Sequence, residues 1–177
     1  MKLTLPIAPE RNGGVDRLCQ HAQPATFGRG GEDVLDESYR KALGKDQNAV
    51  IAANNLAWLY AVNGKGNLDE AVRLAQGVVQ KNPNIPGFVD TLGWVYYKKG
   101  LYGAAVEQLQ KAVALAERAN KSGSGSPSPN YHYHLGMALK ARGDKAAARR
   151  ELEQAVRLSE KSPFAESGEA RTVLASL

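Results

Sequence analysis

Apolar and small residues recur along this chain at the spacing of one helix face, broken by short polar stretches. Val89, Leu92, Gly93 and Tyr96 fall at i, i+3, i+4 and i+7. After Gly100, a residue that accepts positive φ at a helix end, Ala105, Leu109, Ala112 and Val113 form a second stripe. The pattern predicts two helices joined by a tight turn. The same pattern occurs three times. Leu56-Ala57, Leu92-Gly93 and Leu135-Gly136 each open a helix–turn–helix unit, at spacings of 36 and 43 residues. A 34-residue unit accounts for both spacings if the extra residues lie in Asn63–Asn67 (NGKGN) and Lys121–Asn130 (KSGSGSPSPN). Insertions there cost little, because loop-closure entropy grows only logarithmically with length.

Small residues are phased with the repeat. Ala57, Gly93 and Gly136 on the first helices, and Ala71, Ala105 and Ala148 on the second, predict hairpins whose helices approach closely. One such hairpin cannot bury its apolar face alone, so neighbours must stack. The prediction is an all-α solenoid of about three and a half repeats with a C-terminal capping helix. Its expected parts are an irregular N-terminal segment at 1–31, a partial repeat at 32–48, and full repeats at 49–83, 84–120 and 129–162. A flexible loop is expected at 121–128 and the capping helix at 163–177. The cap's apolar set is Ala165, Val173, Leu174 and Leu177.

The repeat resembles the tetratricopeptide repeat (TPR), whose pattern is aromatic-x2-L-G-x2-Y, then A-x3-aromatic-x2-A, then P. Leu92, Gly93, Tyr96, Ala105 and Ala112 carry it in the second unit. Leu56, Tyr60, Ala71 and Pro83 carry it in the first, and Leu135, Gly136, Ala148 and Ala155 in the third. Glu117 and Glu160 stand where the closing proline would be, which predicts a longer second helix running toward Asn120. The phrases NNLAWLYA, DTLGWVYYKKG and YHYHLGMALKARGDKAAARRELEQA resemble the C-terminal repeats of bacterial TPR proteins of exopolysaccharide and exosortase (PEP-CTERM) systems. The stretch from Cys19 to Ala42 also resembles the N-terminal part of fungal iron- and oxoglutarate-dependent oxygenases, yet the chain has no His-x-Asp iron-ligand motif.

The TPR resemblance implies a non-enzymatic scaffold that binds a protein or peptide along the concave face of its first helices. Family positions that point into this groove fall on Ile51, Asn54, Trp58 and Ala61, then Gly87, Asp90, Trp94 and Tyr97, then Asn130, Tyr133, Met137 and Lys140. The candidate partner-binding residues are Asn54, Trp58, Asp90, Trp94, Tyr97, Tyr133, Met137 and Lys140. Each tryptophan sits two residues after a core leucine, about 200° around the helix. That places it in the groove or between adjacent first helices. Asp90 repels a carboxylate and so argues against a chaperone-tail adaptor. Two further readings stay open. One is an assembly or regulatory subunit of a bacterial envelope polysaccharide or protein-sorting system. The other is self-association through an apolar edge of the incomplete repeat around Asp36–Asn48.

Composition narrows the chemistry. The chain has 177 residues, 43% hydrophobic and 23% charged, which suits an ordinary folded domain. A single cysteine, Cys19, gives no disulfide framework, and no cofactor or metal site is expected. His132 and His134, at i and i+2, diverge on a helix and cannot chelate one metal together; His132 fills the opening aromatic slot of the third repeat. His21 lies two residues from Cys19 without a scaffold for a dyad. No GxxxxGK[ST] phosphate loop occurs. The net charge of +5 is scattered, with a modest basic area at Lys140, Arg142, Lys145, Arg149 and Arg150, so nucleic acid is not the expected partner. No stretch is long and apolar enough to span a membrane. Met1–Glu10 makes a poor signal peptide, leaving a cytoplasmic or periplasmic setting open.

Overall fold

A computed structural model of the chain describes residues 31–45, 49–63, 67–125 and 128–177, with side chains described from Asp36 onward. The expected irregular segment, with Cys19 and His21, lies outside the described residues. All regular structure among those described is helical: α1 (Gly31–Lys45), α2 (Val50–Asn63), α3 (Leu68–Lys81), α4 (Pro86–Lys98), α5 (Tyr102–Lys121), α6 (Pro129–Arg142), α7 (Lys145–Ser159) and α8 (Ser167–Ala175). The pairs α2/α3, α4/α5 and α6/α7 are antiparallel hairpins. Successive hairpins stack, so that α2, α4 and α6 lie side by side.

Local chemistry sets the ends of these helices. Pro86 and Pro129 open α4 and α6 at the position where a missing N–H costs nothing. Asn67 caps α3 by accepting from the backbone N–H groups of Asp69 and Glu70, at 2.9 and 3.2 Å. Asp144 caps α7 by accepting from Ala147 N–H at 3.0 Å. The turns after α4 and α6 pass through Gly100 and Gly143, at φ 81° and 96°. α5 runs for 20 residues, against 14 and 15 for α3 and α7. With no proline between Ala112 and Lys121, nothing stops it earlier.

The closest helix contacts define the repeat. A Cβ placed on Gly93 would lie 2.6 Å from Leu109 Cγ, and one on Gly136 would lie 2.7 Å from Leu152 Cγ. Both leucines are fully buried. In the first hairpin the corresponding residues are Ala57 and Ala75, also fully buried. A methyl on one helix there offsets a smaller side chain on the other.

The two ends of the stack are finished differently. Tyr39 and Leu43 of α1 pack inward, while Glu37, Ser38, Lys41 and Lys45 face out. Of the partial repeat's described apolar residues, Tyr39 and Leu43 lie against the core. Arg40 ties α1 to the first hairpin: it donates to Asp36 at 2.6 Å, to Glu70 at 3.2 Å and to the Tyr60 hydroxyl. At the other end Phe164, Ala170 and Val173 are buried, with Leu174 and Leu177 packed beside them. Ala165, expected in that set, is exposed, because it lies in the turn before α8 begins at Ser167.

The Gly93–Leu109 contact makes a sharp prediction. Gly93→Ala should cost about 1–3 kcal/mol by overpacking, and Leu109→Ala about 2–5 kcal/mol by leaving a cavity. Combined, they imitate the alanine pair of the first hairpin. Urea denaturation of all three variants should show a joint loss smaller than the sum by more than about 0.5 kcal/mol. Additive losses would contradict this account of the contact.

Candidate partner-binding groove

The expected groove residues separate into a buried floor and an accessible surface. Asn54, Asp90, Trp94 and Tyr133 are all buried, at 2%, 5%, 7% and 2% exposure. Trp58, Tyr97 and Met137 are half-buried, and Lys140 is exposed. The floor forms because large side chains two positions after a core residue meet their counterparts on the next first helix. Trp94 stacks on Tyr97 of its own helix with ring centroids 4.6 Å apart. It reaches Trp58 at 6.4 Å, Tyr133 at 6.2 Å and His134 at 4.2 Å on the neighbouring helices. The result is a continuous aromatic shelf across α2, α4 and α6.

A buried polar pair lies inside the shelf. His134 Nδ1 is 2.9 Å from each carboxylate oxygen of Asp90, and the residues are 2% and 5% exposed. Facing a carboxylate, that nitrogen is the donor. The pair pins the second repeat to the third, and it sets the imidazole face against Trp94, with Trp58 5.5 Å away. Spacing along the sequence shows only that His134 cannot share a metal with His132, and gives it no other role. The signal that would have found it is a register: the position of Asp90 in one repeat faces the next position along, His134, in the following repeat. His132 instead turns to the second helix of its own hairpin, where Nδ1 meets Glu151 Oε2 at 2.8 Å.

Charge is distributed unevenly around the shelf. The Lys98 ammonium lies 5.1 Å from the centre of the Trp94 ring. At the α8 end, the acids Glu166 and Glu169 act on tyrosines. Burial pushes the Tyr133 phenol well above its usual pKa, and the neighbouring Glu169 and Glu166 push it further. Tyr97 is raised for the same first reason, with Tyr102 and Glu169 adding to it. Among the described residues no group of three or more His, Cys, Asp or Glu is placed to hold a metal. A separate cleft of about 270 Å³ lies between α5, α7 and the start of α6, with Val113, Ala116 and Leu158 on its wall.

A family model described as tetratricopeptide repeat matches residues 91–166, from within α4 through α5, α6 and α7 to the turn before α8. The matched hairpins fit the tetratricopeptide repeat, and the first hairpin stacks on them in the same way. A search of curated proteins returns no match. Among solved structures, the TPR array is similar to SycD, the type III secretion translocator chaperone of Yersinia enterocolitica. That likeness has a TM-score of 0.60 and 18% identity, over 78% of this chain and 97% of SycD. It is similar to MamA of AMB-1, with a TM-score of 0.56 and 20% identity over 85% of this chain and 83% of the other. It is also similar to a Podosopora anserina putative kinesin light chain with nearly identical TPR-like repeats. Here the TM-score is 0.59 and the identity 22%, over 96% and 87% of the two chains. At these identities the likeness is one of fold. No described helix is long and apolar enough to cross a membrane.

The buried tyrosines give the TPR stack an alkaline weak point. An unfolded tyrosine ionises near pH 10. Tyr133, with its pKa raised, and Tyr60, raised to about 12 mainly by burial, keep their protons longer in the folded chain. Their contribution to stability is therefore complete below about pH 10 and is lost as the pH rises beyond it. Thermal unfolding followed from pH 8 to pH 11.5 should show a fall in Tm above pH 10. Tyr133→Phe should make that fall shallower; an unchanged slope would rule Tyr133 out as its source.

Proposed function

We propose that the concave face of this TPR array binds an extended or helical segment of a protein partner, with Trp58, Tyr97 and Met137 as its contact surface. The observation that carries this reading is the layering of the shelf. Three large, half-exposed side chains rest on a fully packed floor of Trp94, Tyr133 and His134. An anchor surface whose rotamers are fixed by packing loses little conformational entropy on binding. Aromatic side chains are also enriched among residues that carry interface energy. SycD, a translocator chaperone on the same fold, agrees with a protein ligand. Stacking of a second copy on α1 has no comparable support, since the described outward positions of that helix are polar.

The geometry also decides which substitutions test the proposal. Trp94 is part of the core, and its removal would damage the fold. Trp58→Ala with Met137→Ala should leave the helical circular dichroism signal intact and weaken capture of a peptide selected on the wild-type chain by at least about tenfold, equivalent to about 1.4 kcal/mol. Unchanged affinity in a correctly folded double variant would reject the shelf as the binding surface.

A further inference from the structure

We infer that the segment received by this groove pairs an apolar anchor with acidic residues, which Lys98 and Lys140 hold at the edge of the shelf. This deepens the proposed function and rests on it. Lys98 and Lys140 occupy the last turns of α4 and α6, adjacent first helices of the stack. Both side chains are exposed, and among the described residues neither has a carboxylate within ion-pair distance. Lysine in a last helical turn complements the helix dipole. That does not account for the placement of Lys98, whose ammonium lies over the Trp94 face instead of pointing away from it. A ligand carboxylate meeting that ammonium would bring its neighbouring side chain onto the shelf.

The carboxylates near this edge are already engaged. Asp90 is held by His134, Asp69 by Lys99 and Asp144 by Arg142 at 3.7 Å. At the α8 end, Glu166 and Glu169 adjoin Tyr133, Glu169 also adjoins Tyr97, and neither forms an ion pair among the described residues. The groove is therefore polarised: positive at the turn edge, negative toward α8. Packed helices lie about 8–10 Å apart and an extended chain rises about 3.3 Å per residue. A ligand with acids about three residues apart and an apolar or aromatic residue between them matches Lys98, the shelf and Lys140 together.

Selection from a phage-displayed library of random twelve-residue peptides tests this on the full chain. Bound clones are then measured as free peptides by fluorescence anisotropy against the wild type, K98E/K140E and W58A/M137A. The expected result is enrichment of Asp and Glu beside apolar residues, with about tenfold weaker binding to K98E/K140E. Raising the salt from 50 to 500 mM should produce a similar loss in the wild type. Peptides that depend on Trp58 and Met137 but show no acid enrichment would overturn this inference and leave the groove proposal standing. Acidic peptides that bind K98E/K140E as well as wild type would also overturn it. Peptides indifferent to W58A/M137A would overturn the groove proposal itself. Circular dichroism of both double variants separates any of these outcomes from loss of fold.

Discussion

The structure depends on how closely two helices of one hairpin can approach. Gly93 meets Leu109, and Gly136 meets Leu152, at distances that leave no room for a Cβ. That approach sets the tilt and offset of each hairpin, and the tilt decides which side chains of one first helix reach the next. A looser hairpin would separate α2, α4 and α6 and leave Trp94 without its stack on His134. In the first repeat, Ala57 and Ala75 meet the same requirement with the bulk shared differently. The fold constrains the combined volume at this contact and leaves the identity of each residue free.

The second level of organisation is the seam between first helices. An apolar seam alone would tolerate sliding of one repeat along another, because apolar contacts are not directional. The Asp90–His134 pair is directional: its two 2.9 Å contacts need one register of α4 against α6. Burying such a pair is a weak source of net stability, since desolvation offsets much of the attraction. Its value here is positional. It fixes the imidazole against Trp94 and beside Trp58, one of the three half-exposed members of the shelf.

Much of this was legible in the chain. Helical spacing at Val89–Tyr96, the repeat of the Leu-small pair, and Gly100 at a turn all describe local chemistry, and each appears as expected. The overlong α5 was legible because a missing proline is a local signal too. What the sequence could not show was depth. Asn54, Trp58, Asp90 and Trp94 lie at matching positions of successive repeats, yet Trp58 is half-exposed while the other three are buried. Their burial depends on neighbouring helices 36 to 44 residues away in sequence, such as the one carrying His134. The α8 cap shows the same limit. Phe164 and Ala170 are buried in place of Ala165, because a one-turn difference in where the helix begins changes the inward face.

The central claim is that the shelf on α2, α4 and α6 is a binding surface while its floor is structural. The chain has two tryptophans, so two indole N–H resonances report directly on this division. In a proton–nitrogen correlation titration with a bound peptide, the Trp58 indole and the Met137 and Tyr97 amides should shift most. The core residues Leu109 and Leu152 should stay near their free positions. Saturable binding that leaves Trp58, Tyr97 and Met137 unmoved, and instead shifts the distant cleft residues Val113, Ala116 and Leu158, would contradict the account.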